Sequence, residues 1–271
     1  MNKILTQSLV TMAMLSTLAV ADEVVNSDVV VLSDVEAQYG AKTSVEATDE
    51  LKQTIDFGFS NTSGNTKTNN LNGKYTMAFT TEGYAEEKLK VGFFATAFLN
   101  KNDDVTSNEE YTASLGVEQY IADGWLGYAS LDWLRNPDFR NFDNKISVGA
   151  GLGKEIYNQG QHTVKLKIGV AYNIEQYADA TPDAKFTSIN EYIEYTNILN
   201  NTSIFFVKVG AMQNTEDFTN DYELLSIIGL HFSVAENISI SIEEEIRYDK
   251  IHPGTNKATD TKTIVRVGYS F

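Results

Sequence analysis

Long stretches of this chain put a greasy residue at every second position and a charged, hydroxylated or glycine residue between. VKLKIGVAYNIE, residues 164–175, sets Val164, Leu166, Ile168, Val170, Tyr172 and Ile174 against Lys165, Lys167, Gly169, Asn173 and Glu175. Successive residues of a strand project to opposite faces, so such a segment is a ribbon with one oily and one polar side. Twelve segments share the pattern, at about 51–62, 66–80, 87–100, 108–121, 125–136, 142–156, 162–177, 185–198, 202–214, 221–233, 237–249 and 259–271. Ordinary strands average about five or six residues. These run about twice that, the ~9–11 residues that cross a bilayer at a tilt.

Alternation alone does not say which face is outside. The polar face does, because Lys, Glu, Ser and mid-strand Gly suit a wet lumen better than a dry core, and the oily face then meets lipid. The expected fold is all-β: a single antiparallel transmembrane β-barrel of about twelve strands, spanning 51–271. Connections after even segments are short (ADG, NQGQ, NN), and those after odd segments are mostly long. Pro137, Pro182 and Pro253, the only prolines, fall in the long set, where no ladder hydrogen bond is lost. Short turns then face the periplasm and long loops the exterior. Aromatic spacing agrees. Trp125 and Trp133 share a face, as do Tyr222 and Phe232, with separations of roughly 20–25 Å along the membrane normal, about the height between two aromatic girdles. Tyr269 and Phe271 supply girdle positions on the last strand, which is expected to pair with the first and leave no open edge.

Ahead of the barrel, a basic MNK start, an apolar run and Ala19-Val20-Ala21 read as a cleavable secretory signal over residues 1–21. Residues 22–50 form an acidic stretch, expected as a periplasmic tail or short plug. The 37 acidic against 21 basic residues argue against a nucleic-acid partner, and with no Cys there is no disulfide framework.

Two stretches carry a family resemblance. DTKTIVRVGYSF is similar to the C-terminal signal of bacterial outer-membrane barrels. FGFSNTSGNTKTNNLNGKYTMAF resembles the opening hairpin of the YdiY-like family of salt-induced outer-membrane proteins. The resemblance implies a place in the Gram-negative cell outer membrane, among lipid and lipopolysaccharide. It also implies recognition by the barrel assembly machinery through the strand ending at Phe271, and a link to salt or osmotic adaptation. It assigns no biochemical activity.

The polar face collects Lys52, Asp56, Lys74, Lys88, Lys90, Glu118, Asp132, Lys145, Lys165, Lys167, Glu175, Glu243, Glu245, Arg247 and Arg266. Twelve strands enclose a backbone radius of roughly 12 Å, wide enough for a narrow passage unless side chains fill it. Two readings stay open: a pore for small polar or ionic solutes with these charges setting selectivity, or a closed interior cross-linked by Lys–Glu pairs. A barrel phospholipase or protease needs a His-based constellation. Of the three His, His162 and His231 belong near the periplasmic end and His252 lies in the last long loop. The expectation is therefore a non-enzyme without cofactor or metal, with a structural or adhesive surface barrel as a further alternative. Acid-rich loops (Asp103, Asp104, Glu109, Glu110) lack EF-hand spacing and read as solvated charge. GAGLGKE, residues 149–155, reads as small residues making room inside the lumen rather than a nucleotide loop, which needs a following helix. Glu244 and one of Glu191 or Glu194 fall on the oily parity, where a β-bulge or a protein contact is expected to relieve them.

Overall fold

The computed structural model describes residues 49–271 except 64–67, 103–104, 123, 138–139 and 252–256. The signal and nearly all of the acidic stretch lie outside the described residues, as do Asp103, Asp104 and His252. Twelve strands follow one another: β1 Lys52–Ser63, β2 Thr68–Glu82, β3 Lys88–Asn102, β4 Val105–Ala122, β5 Trp125–Asn136 and β6 Phe142–Gln159, then β7 His162–Tyr177, β8 Ala184–Asn200, β9 Ser203–Asn214, β10 Tyr222–Ala235, β11 Ile238–Asp249 and β12 Thr259–Ser270. Each pairs antiparallel with its sequence neighbour, and β1 pairs with β12 to close the barrel. At the seam Thr54 faces Ser270, and the Phe271 amide donates to the Gln53 carbonyl at 2.9 Å.

Several strands outrun their oily pattern. β4 begins at Val105 rather than near 108, β2 runs to Glu82 and β6 to Gln159. Alternation ends where lipid ends, but backbone N–H and C=O groups still need partners, so the ladders continue through polar residues. Gly124 and Gly160, with φ of 70° and 62°, take the left-handed conformation that the β4–β5 and β6–β7 turns require.

Burial is inverted relative to a soluble protein. Phe57 and Phe59 on the outer face are 69% and 71% exposed, while Glu118, Arg266 and Lys167 inside are 1%, 2% and 4% exposed. Charged residues are almost never fully buried in globular cores unless paired, and fields of exposed Phe, Leu and Val are not left in water. The outer face is built for hydrocarbon.

One expectation is corrected here. The β7–β8 ladder runs without a shift from His162–Asn197 to Glu175–Ala184, and the β8–β9 shift lies between Ile198 and Asn200. No bulge separates Glu191 from Glu194, because the inward Tyr192 and Glu194 already satisfy the lumen in unbroken register. Glu194 accepts from the Tyr192 hydroxyl at 2.7 Å, and Glu191 points out between Ile168 and Ala211. Glu244 also points out, eased by its cross-strand partner Thr263, whose hydroxyl donates to it at 2.5 Å. Glu191→Leu is expected to stabilise the barrel in lipid by about 1–2 kcal/mol, somewhat below the cost of a basic residue at mid-bilayer. Urea unfolding in vesicles checks this. A loss of stability would show instead that a protein partner holds the carboxylate.

Candidate functional site

Of the twelve lumenal charges selected from sequence, Lys74, Glu118, Asp132, Lys145, Lys165, Lys167, Glu175, Glu243, Glu245, Arg247 and Arg266 are buried inside the barrel. Lys90 is half-exposed, with its ammonium 5.4 Å from the Tyr120 ring centre. Among the described residues, the buried interior holds five Lys and three Arg against seven Glu and Asp132, eight charges of each sign. Such balance follows from physics: an unpaired ion in this setting costs several kcal/mol, so each must find a counter-charge.

The counter-charges often lie on other walls. Lys145 on β6 meets its direct cross-strand neighbour Glu175 at 2.7 Å and also Glu223, on β10, at 2.9 Å. Lys262 on β12 reaches Glu110 on β4 at 3.0 Å, and Lys167 on β7 reaches Glu118 on β4 at 2.6 Å. Apart from Lys145–Glu175, these pairs join strands three or four places apart around the closed order, so they are braces spanning the lumen. Shorter links complete the network: Arg266 to Glu243 at 2.8 Å and to the Asn72 side-chain oxygen at 3.0 Å, and Arg247 to Glu245 at 3.1 Å.

A guanidinium from a loop joins them. Arg140, between β5 and β6, is 6% exposed and folds into the mouth. It pairs with Glu223 and lies 3.6 Å from Asp249, both on the β10–β11 wall, and its guanidinium sits 4.9 Å from the Phe142 ring centre. The loop is pinned on its other side. The Asn141 carbonyl accepts from the Ala178 amide at 2.8 Å. Hydrogen bonds from Asn141 and then Thr181 hold the Asp179 carboxyl down at about 2. No periodicity marks Arg140 in the sequence. Glu223 and Lys208 share the inward parity of their strands and were legible by it, whereas at Glu194 alternation leaves the choice with Glu191 open.

The wet interior expected from the polar parity needs correction. Phe186, Tyr192, Phe206, Met212, Leu225 and Ile227 form an apolar cluster inside β8–β10. Phe94, Phe98 and Leu126, also inward, are 0–1% exposed. Phe94 and Phe98 share their strand's parity with Lys90 and Gly92, and Phe206 shares its own with Lys208 and Gly210, and a barrel of this size has room for large rings on one wall opposite small residues on another. GAGLGKE does this: Gly151 faces Tyr128 on β5 and Gly169 on β7, and a side chain at either glycine would strike the Tyr128 hydroxyl. Among the described residues are a cavity of about 40 Å³ and another of about 10 Å³.

The girdle residues all face outward. Lys154 covers Trp125 at 4.7 Å, and Trp133 donates to the Asn144 side-chain oxygen at 3.0 Å. Tyr222 stacks on Tyr248 at 5.7 Å and Tyr269 on Phe271 at 6.3 Å, while Phe232 registers with Ile240. Of the histidines, His162 bonds the Tyr195 hydroxyl at 2.9 Å on the outer face at the short-turn end. His231 is buried in the lumen, opposite Ile204 and Ser241.

Solved structures share the architecture at very low identity. The NanC porin is 9% identical over 79% of this chain and 98% of its own, with a TM-score of 0.51. An outer-membrane channel from Pseudomonas putida F1 is 8% identical over 82% and 95%, at 0.53. Outer membrane phospholipase A from Escherichia coli is 12% identical over 80% and 95%, at 0.49. At such identity the likenesses to the porin and the channel show the fold alone. No curated protein matches the chain in sequence. The family model described as protein of unknown function, DUF481, matches residues 55–271, a span that includes nearly the whole barrel and the hairpin resembling YdiY-like proteins. The chain is therefore a member of the DUF481 family, built as a closed twelve-stranded barrel of the outer-membrane type.

Proposed function

We propose that the protein is a non-enzymatic outer-membrane barrel whose lumen is a narrow, side-chain-gated passage for small polar or ionic solutes. The observation that carries this reading is the network of balanced charges between the two ends of the interior, braced wall to wall and topped by Arg140. A barrel that served only as a wall or an adhesin could fill its interior with apolar side chains, which are often neutral or better for stability than buried ion pairs. Exchange of partners among these pairs opens a polar path without exposing backbone. The braces make the closed form the resting state, so conduction is rare and small.

Single-channel recording in planar bilayers tests the proposal. The wild-type barrel is expected to give infrequent, small steps. Arg140→Ala removes one charge-assisted contact and is expected to raise the open fraction about tenfold, the population change that about 1.4 kcal/mol produces. Absence of discrete steps from the wild type, from Arg140→Ala and from Arg140→Ala/Lys145→Ala, each shown to be an intact barrel, would sink the passage.

A further inference from the structure

The cavity of about 40 Å³ lies at the long-loop end, beneath the Arg140 arm. It has room for about three water-sized groups at ~10–15 Å³ each. Three of its lining residues are cationic, Arg140, Arg247 and Lys262, and three are anionic, Glu110, Glu245 and Asp260. A charged guest would lose its hydration there and gain no net potential in return. A net-uncharged polar guest loses less.

The unpartnered atoms around it show what such a guest must offer. Asn70 is 2% exposed and turns into this cavity, yet neither its side-chain nitrogen nor its side-chain oxygen has a partner. The Glu245 Oε2 atom, in the same lining, is also without one, although its Oε1 binds Arg247. Ser60, which faces Asn70 across the β1–β2 ladder, has an unpartnered hydroxyl too. Buried polar groups are almost always hydrogen-bonded, so the orphaned Asn70 and Glu245 atoms in the lining of one cavity mark a place where something binds. Asn70 and Glu245 together bring to the lining one N–H₂ donor and two acceptors, Asn70 Oδ1 and Glu245 Oε2. A carboxylate brings acceptors alone and would confront Glu245. An ammonium brings donors alone and leaves the Asn70 nitrogen unmet. An amide brings both.

We propose that this cavity is a binding subsite for a small uncharged solute carrying an amide or urea group. The solute carbonyl accepts from Asn70 Nδ2, one of its N–H groups donates to Asn70 Oδ1, and another donates to Glu245 Oε2. This goes beyond the passage proposed above, because occupancy needs no open path through the barrel.

Ligand-observed saturation-transfer NMR on the full-length barrel in detergent micelles tests it, with urea, acetamide, glycerol and acetate as probes. Urea and acetamide are expected to receive saturation, and acetate is not. Asn70→Leu is expected to weaken urea binding about tenfold, the usual consequence of losing a hydrogen bond pair. Asn70→Asp keeps the size, replaces the donor by an acceptor, and is expected to do the same if the Leu variant fails to form a barrel. A urea signal no greater than that of empty micelles, equal urea signals from the wild type and Asn70→Asp, or a preference for glycerol or acetate over urea would overturn the assignment. Urea binding without conductance would sink the passage and leave the subsite standing.

Discussion

Glu118→Gln is expected to lower the stability of the barrel by about 3–5 kcal/mol, the usual cost of stripping one partner from a buried ion pair. The Glu118 carboxylate sits 2.6 Å from the Lys167 ammonium, and both side chains are at most 1% exposed. Tyr128 and Tyr192 also flank Lys167, with ring centres 5.6 and 5.8 Å from its nitrogen, but aromatic faces offset only part of a lost counter-charge. The urea midpoint of the vesicle-embedded protein is the measurement. Glu118→Met/Lys167→Met is the control, since well-packed apolar replacement of both ions is often neutral or stabilising. Recovery in the double variant shows that the penalty in the single one is electrostatic. An unchanged midpoint for Glu118→Gln would instead mean that water reaches Lys167 and solvates it, and the interior would have to be drawn as wet.

Gly58→Val is expected to act earlier, on closure. Gly58 lies on β1 opposite Arg266 of β12, and a side chain there would land on the backbone carbonyl of Val265. Backbone gives way less readily than the end of a flexible side chain, so the cost exceeds ordinary overpacking, at about 3 kcal/mol or more. The seam joins residues at opposite ends of the barrel sequence, and its loss would leave two long strand edges unpaired in lipid, where each unsatisfied group costs several kcal/mol. The expected result is loss of the heat-modifiable, protease-resistant form on gels after refolding. Gly73→Val is the comparison, because a side chain at Gly73 makes only ordinary contacts. Equal folding of both variants would show that the seam tolerates a wider spacing than the structure gives it.

Much of the fold was legible because a strand writes its environment into alternate residues. Val164 to Ile174 announced an oily face and Lys165 to Glu175 a polar one, and the structure keeps both assignments. The same rule applied at Glu191 and Glu194 leaves open which carboxylate faces out, and the structure turns Glu191 outward and Glu194 inward. Alternation fails there because one carboxylate is tolerated outside, and not because the register resets. Phe94, Phe98 and Phe206 point inward on the parity of Lys90 and Lys208, and hydropathy alone gives no reason to expect rings there. Arg140 was hidden for a different reason: a loop has no period.

Period-two chemistry, strand length and turn spacing determined that this chain forms a closed barrel of about twelve strands, and which face of most strands is inside. These are local properties, set by the pleat of the backbone and by the solvent each face must meet. Which inward residues touch was decided only by closure. Lys145 and Glu223, or Lys262 and Glu110, become neighbours because strand count and stagger bring opposite walls within one side chain's reach. That distance is a property of the whole ring, so no segment encodes it alone.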